Sequence, residues 1–159
     1  MNRVEALKRE YALEAHPEGG WFSEVYEAPD LTAQGRPFMG SIYFLLEGDE
    51  ISHLHVIDCD ELWYYHEGCG MRVTLVDAGG RVSFADLGPD AAAGQSMMIA
   101  IPRGVTFGAE NLDPAGYSFV SCATAPRFTY EGFTLVSRER LAELCPDAPE
   151  AVARLAMGE

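Results

Sequence analysis

Residues 48–68 read GDEISHLHVIDCDELWYYHEG, and the alternation in this stretch decides how the remainder of the chain is read. His53 and His55 alternate with Ser52, Leu54 and Val56, so a regular strand sends both imidazoles to one face. Glu61 follows after five intervening residues and Gly68 after six more. On the second run Glu61, Trp63 and Tyr65 alternate with Leu62, Tyr64 and His66, which puts His66 on the face away from Glu61. Two imidazoles and a carboxylate brought together suit a divalent transition metal, and equally a site that moves protons. The residues leave both readings open.

The same period recurs on either side. Apolar or alternating runs occupy 21–26, 38–46, 51–57, 61–66, 71–76, 81–87, 95–101, 106–110, 117–123 and 133–136. Turn chemistry separates them, as in Glu47-Gly48-Asp49, Gly79-Gly80, Gly88-Pro89-Asp90 and Asp113-Pro114. About ten short runs with no helix between them predict an antiparallel sandwich or barrel, with 21–26 a candidate edge strand. Ahead of them Val4, Leu7 and Tyr11 form one helical stripe, ended by His16-Pro17-Glu18-Gly19-Gly20. The paired glycines of that loop allow close backbone approach, at a pocket rim or at the barrel entrance. Behind the strands Ser137 is placed to cap a helix over 138–144, Pro146 to stop it, and Asp147 with Glu150 to open another. No repeat or linker interrupts the chain, so 1–159 reads as one domain with its barrel over about 16–136.

At 159 residues the chain can bury a core, and 48% apolar with 11% aromatic content fits a globular protein and argues against disorder. The net charge is −14, and between 16 and 136 five arginines (Arg36, Arg72, Arg81, Arg103, Arg127) face seventeen Asp and Glu. That balance argues against a nucleic-acid partner. Without a run of 18 apolar residues or a signal-peptide pattern, neither a membrane span nor secretion is expected, and the protein reads as cytoplasmic. Cys59, Cys69, Cys122 and Cys145 show no C-x-x-C spacing and read as free thiols in a reducing compartment.

A second segment, Gly94, Pro102, Gly104, Phe107 and Asn111, spells G-x7-P-x-G-x2-F-x3-N. With His53, His55 and Glu61 it resembles the paired signature of the cupins, in which the position of Phe107 usually offers one more histidine ligand. HPEGGWF (16–22), SIYFLL (41–46), Ser52-x-x-His55, DELWYYHEG (60–68), CATAPRFTYEGF (122–133) and LAELCP (141–146) are similar to one small group of single-domain cupins, cupin family 5, a domain of unknown function. The resemblance spans nearly the whole chain. It implies an all-β fold, an antiparallel double-stranded β-helix or jelly-roll barrel with short N- and C-terminal helices, reminiscent of deoxysugar epimerases. Two positions depart from that group: His53 stands where it usually has another residue, and Arg127 where a glycine usually follows Ala-Pro.

Within this frame the expected site is a small-molecule pocket. His55 and Glu61 are the candidate catalytic residues, since a carboxylate beside an imidazole fixes its tautomer and raises its basicity. Ser52, Trp63, Tyr65, Phe107 and Asn111 are candidate ligand contacts, and Arg103 a weaker one. His53, His55 and Glu61 are candidate ligands of one divalent metal, with Fe, Mn, Ni or Zn admissible. The leading expectation is isomerase, epimerase or lyase chemistry on a hydroxylated or carbonyl, sugar-like compound. A nucleoside-diphosphate sugar fits poorly, because so few cations are available for its phosphates. The alternatives are a metal-dependent oxygenase or lyase and a non-catalytic binding module. The resemblance also implies a homodimer.

Overall fold

Alternating runs cut by turn residues fold here as two facing antiparallel sheets. The computed structural model describes residues 2–158. In chain order the elements are α1 (Arg3–Glu10), β1 (Glu14–Ala15), β2 (Trp21–Glu27), β3 (Gly40–Glu47), β4 (Ile51–Ile57), β5 (Asp60–Gly68), β6 (Met71–Val76), β7 (Val82–Leu87), β8 (Met98–Ile101), β9 (Thr106–Asn111), β10 (Tyr117–Ala125), β11 (Phe133–Leu135), α2 (Arg138–Leu144) and α3 (Glu150–Ala153). One sheet runs β1-β2-β3-β10-β5-β8 and the other β11-β4-β9-β6-β7. Consecutive strands such as β4 and β5 thus lie in different sheets, which makes the jelly-roll barrel.

The inner faces close on a core that includes Phe44, Leu46, Trp63, Met71, Phe107 and Val120. Fully burying a side chain such as Phe44 contributes roughly 2–3 kcal/mol. Leu45, between Phe44 and Leu46, faces the other way and packs with Val4 and Leu7 of α1, so the N-terminal helix covers the outside of the six-stranded sheet. The C-terminal helices cover the five-stranded sheet: Leu54 and Val76 pack there with Val136, Leu141, Val152 and Leu155. Asn2 caps α1 by accepting from Glu5 N (2.8 Å), and Ser137 caps α2 by accepting from Arg140 N (3.1 Å).

Four expectations are corrected. Pro149, not Asp147, stands at the N-cap of α3, which has no side-chain cap. The run expected from 38 starts pairing only at Gly40, because Phe38 N turns back to Asp30 O (3.1 Å). The run expected from 95 becomes strand only at Met98, since Ser96 N is taken by Asp86 O (2.8 Å). Asn111 does not reach a ligand pocket. Its Nδ2 donates to Leu46 O (3.2 Å) and Gly48 O (2.9 Å), so it holds the β3–β4 turn to the end of β9.

Candidate active site

The loop His16–Gly20 folds back on itself, with His16 N donating to Gly20 O (2.9 Å) and Gly19 N to His16 O (3.0 Å). Gly19 has φ 104°, and a side chain there would collide with the Ile51 carbonyl. Glycine therefore lets the loop lie directly on β4, where His53 N donates to Glu18 O (2.8 Å). The consequence is chemical: a glutamate from a surface-type sequence is only 6% exposed.

Strand β4 meets this loop with an irregularity. Ser52 pairs with Ala109 and His55 with Phe107, so two residues of β4, His53 and Leu54, oppose Gly108 alone. A Cβ at Gly108 would stand 2.7 Å from Ser52 O and 3.2 Å from Leu54 N, so the bulge needs glycine across from it. The extra residue breaks the alternation. Ser52 and His55, three apart, both reach the Glu18 carboxylate, whereas His53 Nδ1 lies 3.1 Å from Leu155 O in the C-terminal helical layer. The expectation that His53 and His55 share a face is corrected by this one-residue bulge.

Glu18 is the centre of the site. Its Oε2 lies 2.9 Å from His55 Nε2, and its Oε1 accepts from Ser52 Oγ (2.9 Å) and stands 3.8 Å from His16 Nδ1. His55 Nδ1 lies 2.7 Å from the His53 carbonyl oxygen. Both nitrogens of His55 thus face oxygens, and imidazolium is the form that donates to both. Burial pulls the His55 pKa down, but the Glu18 charge and hydrogen bond outweigh it and leave it raised. For Glu18 burial pushes upward, and the His55 charge and hydrogen bond bring it below its ordinary value. His16 goes the other way: burial lowers its pKa, Glu18 only partly opposes this, and the His55 charge adds to the lowering.

Glu61, 8% exposed on β5, is pushed up to about 7, chiefly by burial and further by the Glu18 charge, against the pull of His55. The Trp63 indole N–H is near enough to favour the ionised carboxylate, yet no hydrogen bond of good geometry forms, and Trp63 Nε1 is buried without a partner. Near neutral pH the Glu61 carboxyl therefore takes up or gives up its proton readily, beside the His55–Glu18 pair.

His16, Glu18, His55 and Glu61 open into one cavity of about 60 Å³, whose apolar wall includes Phe22 and Phe128. That volume takes several waters or one small organic molecule. Arg127 stands at the cavity with Nη2 on Glu24 Oε1 (2.7 Å) and Nε on Glu27 Oε2 (2.9 Å). Gly40 makes room for it, since a Cβ there would stand 2.8 Å from Arg127 Cγ. The two cations of the cavity, His55 and Arg127, are both paired with carboxylates.

Of the residues expected in the site, His55 and Glu61 line the cavity and Ser52 holds Glu18. Trp63 and Phe107 are core, the Phe107 ring packing 4.1 Å from that of His55. Tyr65 donates to Gly68 O (2.7 Å) and packs against the same core, and Arg103 pairs with Asp60 on the surface. His66 lies outside, with Nε2 2.8 Å from Ser121 Oγ. Glu18 was missed; its one sequence signal was a charged residue between Pro17 and two glycines. Among the described residues no three His, Cys, Asp or Glu are arranged to hold a metal ion. The donors do not fit one in this arrangement: His53 faces the helical layer, both His55 nitrogens are engaged, and the Phe107 ring occupies the side of His55 where a further imidazole would stand.

Residues 5–136 match the family described as Cupin superfamily (DUF985). The structure is similar to that of protein SO0799 from Shewanella oneidensis, with 33% identity, all of both chains covered and a TM-score of 0.94. It is similar also to a hypothetical protein from Leishmania major, at 30% identity over 99% of this chain and all of that one, with a TM-score of 0.89. Oxalate decarboxylase from Bacillus subtilis, a protein with Mn(II) centres, shares the fold at 21% identity over 91% of this chain and 37% of its own, with a TM-score of 0.57. No curated protein matches. On the family match and on its likeness to the Shewanella protein, the chain belongs to the cupin superfamily, in its DUF985 family.

Proposed function

We infer that the cavity binds a small hydroxylated or carbonyl compound and moves a proton on it, as an isomerase, epimerase or lyase does. The observation that carries this is Glu61, a buried carboxyl held at about 7 in a cavity that also holds the His55–Glu18 ion pair. A group with that pKa takes or gives a proton at neutral pH with little cost in either direction. In this reading Glu61 exchanges the proton with the ligand, and the His55–Glu18 pair, with both ring nitrogens engaged, holds the charge around Glu61 fixed. Both cavity cations are already paired, which disfavours a polyanionic ligand such as a nucleotide sugar. The chain is also expected to pair with a second copy along β2, whose outer side meets only the two residues of β1 and which exposes Val25 and Tyr26.

The test is solvent-deuterium incorporation, followed by NMR, into three- to six-carbon hydroxy-carbonyl compounds. Wild type and Cys145→Ser are expected to exchange a carbon-bound hydrogen, and Glu61→Gln to lose exchange while still binding. A wild-type protein that binds such a compound and never exchanges it is a binding module, and the catalytic reading then falls.

A further inference from the structure

The backbone sets the state of the His16 ring. Glu18 N donates to His16 Nδ1 (3.2 Å), so Nδ1 offers its lone pair and a neutral ring carries its proton on Nε2. The side chain is 6% exposed. Phe22 meets it edge-on at 4.6 Å, and Phe44, Phe128, Tyr130 and Phe133 lie within 6.5 Å. In this aromatic collar burial and the nearby His55 cation favour the neutral ring. Among the described residues Nε2–H finds no acceptor, although His16 lines the cavity. Nε2 is not among the polar atoms shut away without a partner, so its N–H opens to the cavity and is free to donate to what the cavity holds.

We propose that His16 is a neutral hydrogen-bond donor that holds the carbonyl oxygen of the ligand through Nε2–H. The proposal rests on the proton-transfer reading of the same cavity and names the ligand group it takes. A free N–H donor takes an acceptor, and a carbonyl oxygen accepts with no proton of its own to place, whereas a hydroxyl would have to turn its proton to Glu61 or another acceptor of the cavity wall. A carboxylate would add charge beside Glu18, 3.8 Å from the ring, with no free cation to balance it. A neutral imidazole keeps its proton while polarising a carbonyl, which leaves proton exchange to Glu61.

The test uses dihydroxyacetone and its carbonyl-free counterpart glycerol. Imidazole nitrogen NMR of the wild-type protein at neutral pH is expected to show His16 neutral with the proton on Nε2. Dihydroxyacetone should shift that nitrogen and glycerol should not. His16→Gln, which keeps an N–H near the same place, is expected to hold affinity within about threefold, and His16→Phe to weaken it about tenfold. A His16 protonated on Nδ1, or on both nitrogens, overturns the proposal whether or not the variants fold. Dihydroxyacetone that shifts His55 but leaves His16 unmoved also overturns it, with the cavity reading intact. Binding through His16 without deuterium exchange keeps it and removes the catalytic reading. No shift at high millimolar dihydroxyacetone overturns both.

Discussion

His55 and Glu18 form a buried pair in which Nε2 and Oε2 are 2.9 Å apart, while the other ring nitrogen faces the His53 carbonyl at 2.7 Å. Neither group would be charged at such depth alone. A loop of five residues and a bulged strand therefore stabilise each other through one ion pair, and the site is assembled only when both are in place.

Glu18→Ala removes the partner that keeps the buried His55 ring charged and is expected to destabilise the fold by about 3–5 kcal/mol in chemical denaturation at neutral pH. The pH dependence has two limbs. The His55 pKa is raised above 6.5, so its contribution is complete below that value and is lost as pH rises through the raised one. The Glu18 pKa is lowered below 4.5, so its contribution is present above that value and is lost as pH falls through the lowered one. Glu18→Ala should flatten both limbs. An unchanged profile would show that the pair is not charged.

Glu61 acts in the opposite sense to an ordinary carboxylate. Its pKa rises from 4.5 to about 7 on folding, so the folded protein holds a proton that the unfolded chain has released, and stability falls as pH climbs between these values. Glu61→Gln removes that loss and is expected to exceed wild type by up to ~3 kcal/mol at about pH 8, with the gain shrinking toward about pH 4. Thermal unfolding across pH reads this directly. A Gln variant less stable than wild type at alkaline pH would mean that Glu61 is held ionised.

Gly108→Ala tests the bulge. The new Cβ would stand 2.7 Å from the Ser52 carbonyl, a backbone atom that cannot rotate away. A cost of about 1–3 kcal/mol is expected, with a fall in the His55 pKa as Ser52 and His55 are pushed off Glu18. Denaturation and histidine titration by NMR give both readouts, and a variant matching wild type in each would show that the bulge has slack.

The expected homodimer is checked by light scattering at micromolar concentration. A dimer mass is predicted for wild type, and a shift toward monomer for a charge placed at Val25, 48% exposed on β2. A monomer mass for wild type would remove the pairing.

Much of the barrel was legible in the chain. Period-two runs bounded by glycine, proline and aspartate became strands close to their expected limits, and Ser137 capped the helix it was placed to cap. Such features depend on local sterics and on which face must leave water, and both are written residue by residue. His55 and Glu61 were legible for the same reason, as inward positions on adjacent runs. Glu18 was not, because its burial comes from a glycine loop lying on β4, over thirty residues along the chain. His53 was misplaced because a bulge is a property of two strands: β4 alone reads as regular, and only its pairing against Gly108 absorbs the extra residue. Sequence determined the architecture and the kinds of groups available. Tertiary structure decided which of them meet and, by removing them from water together, which carry charge.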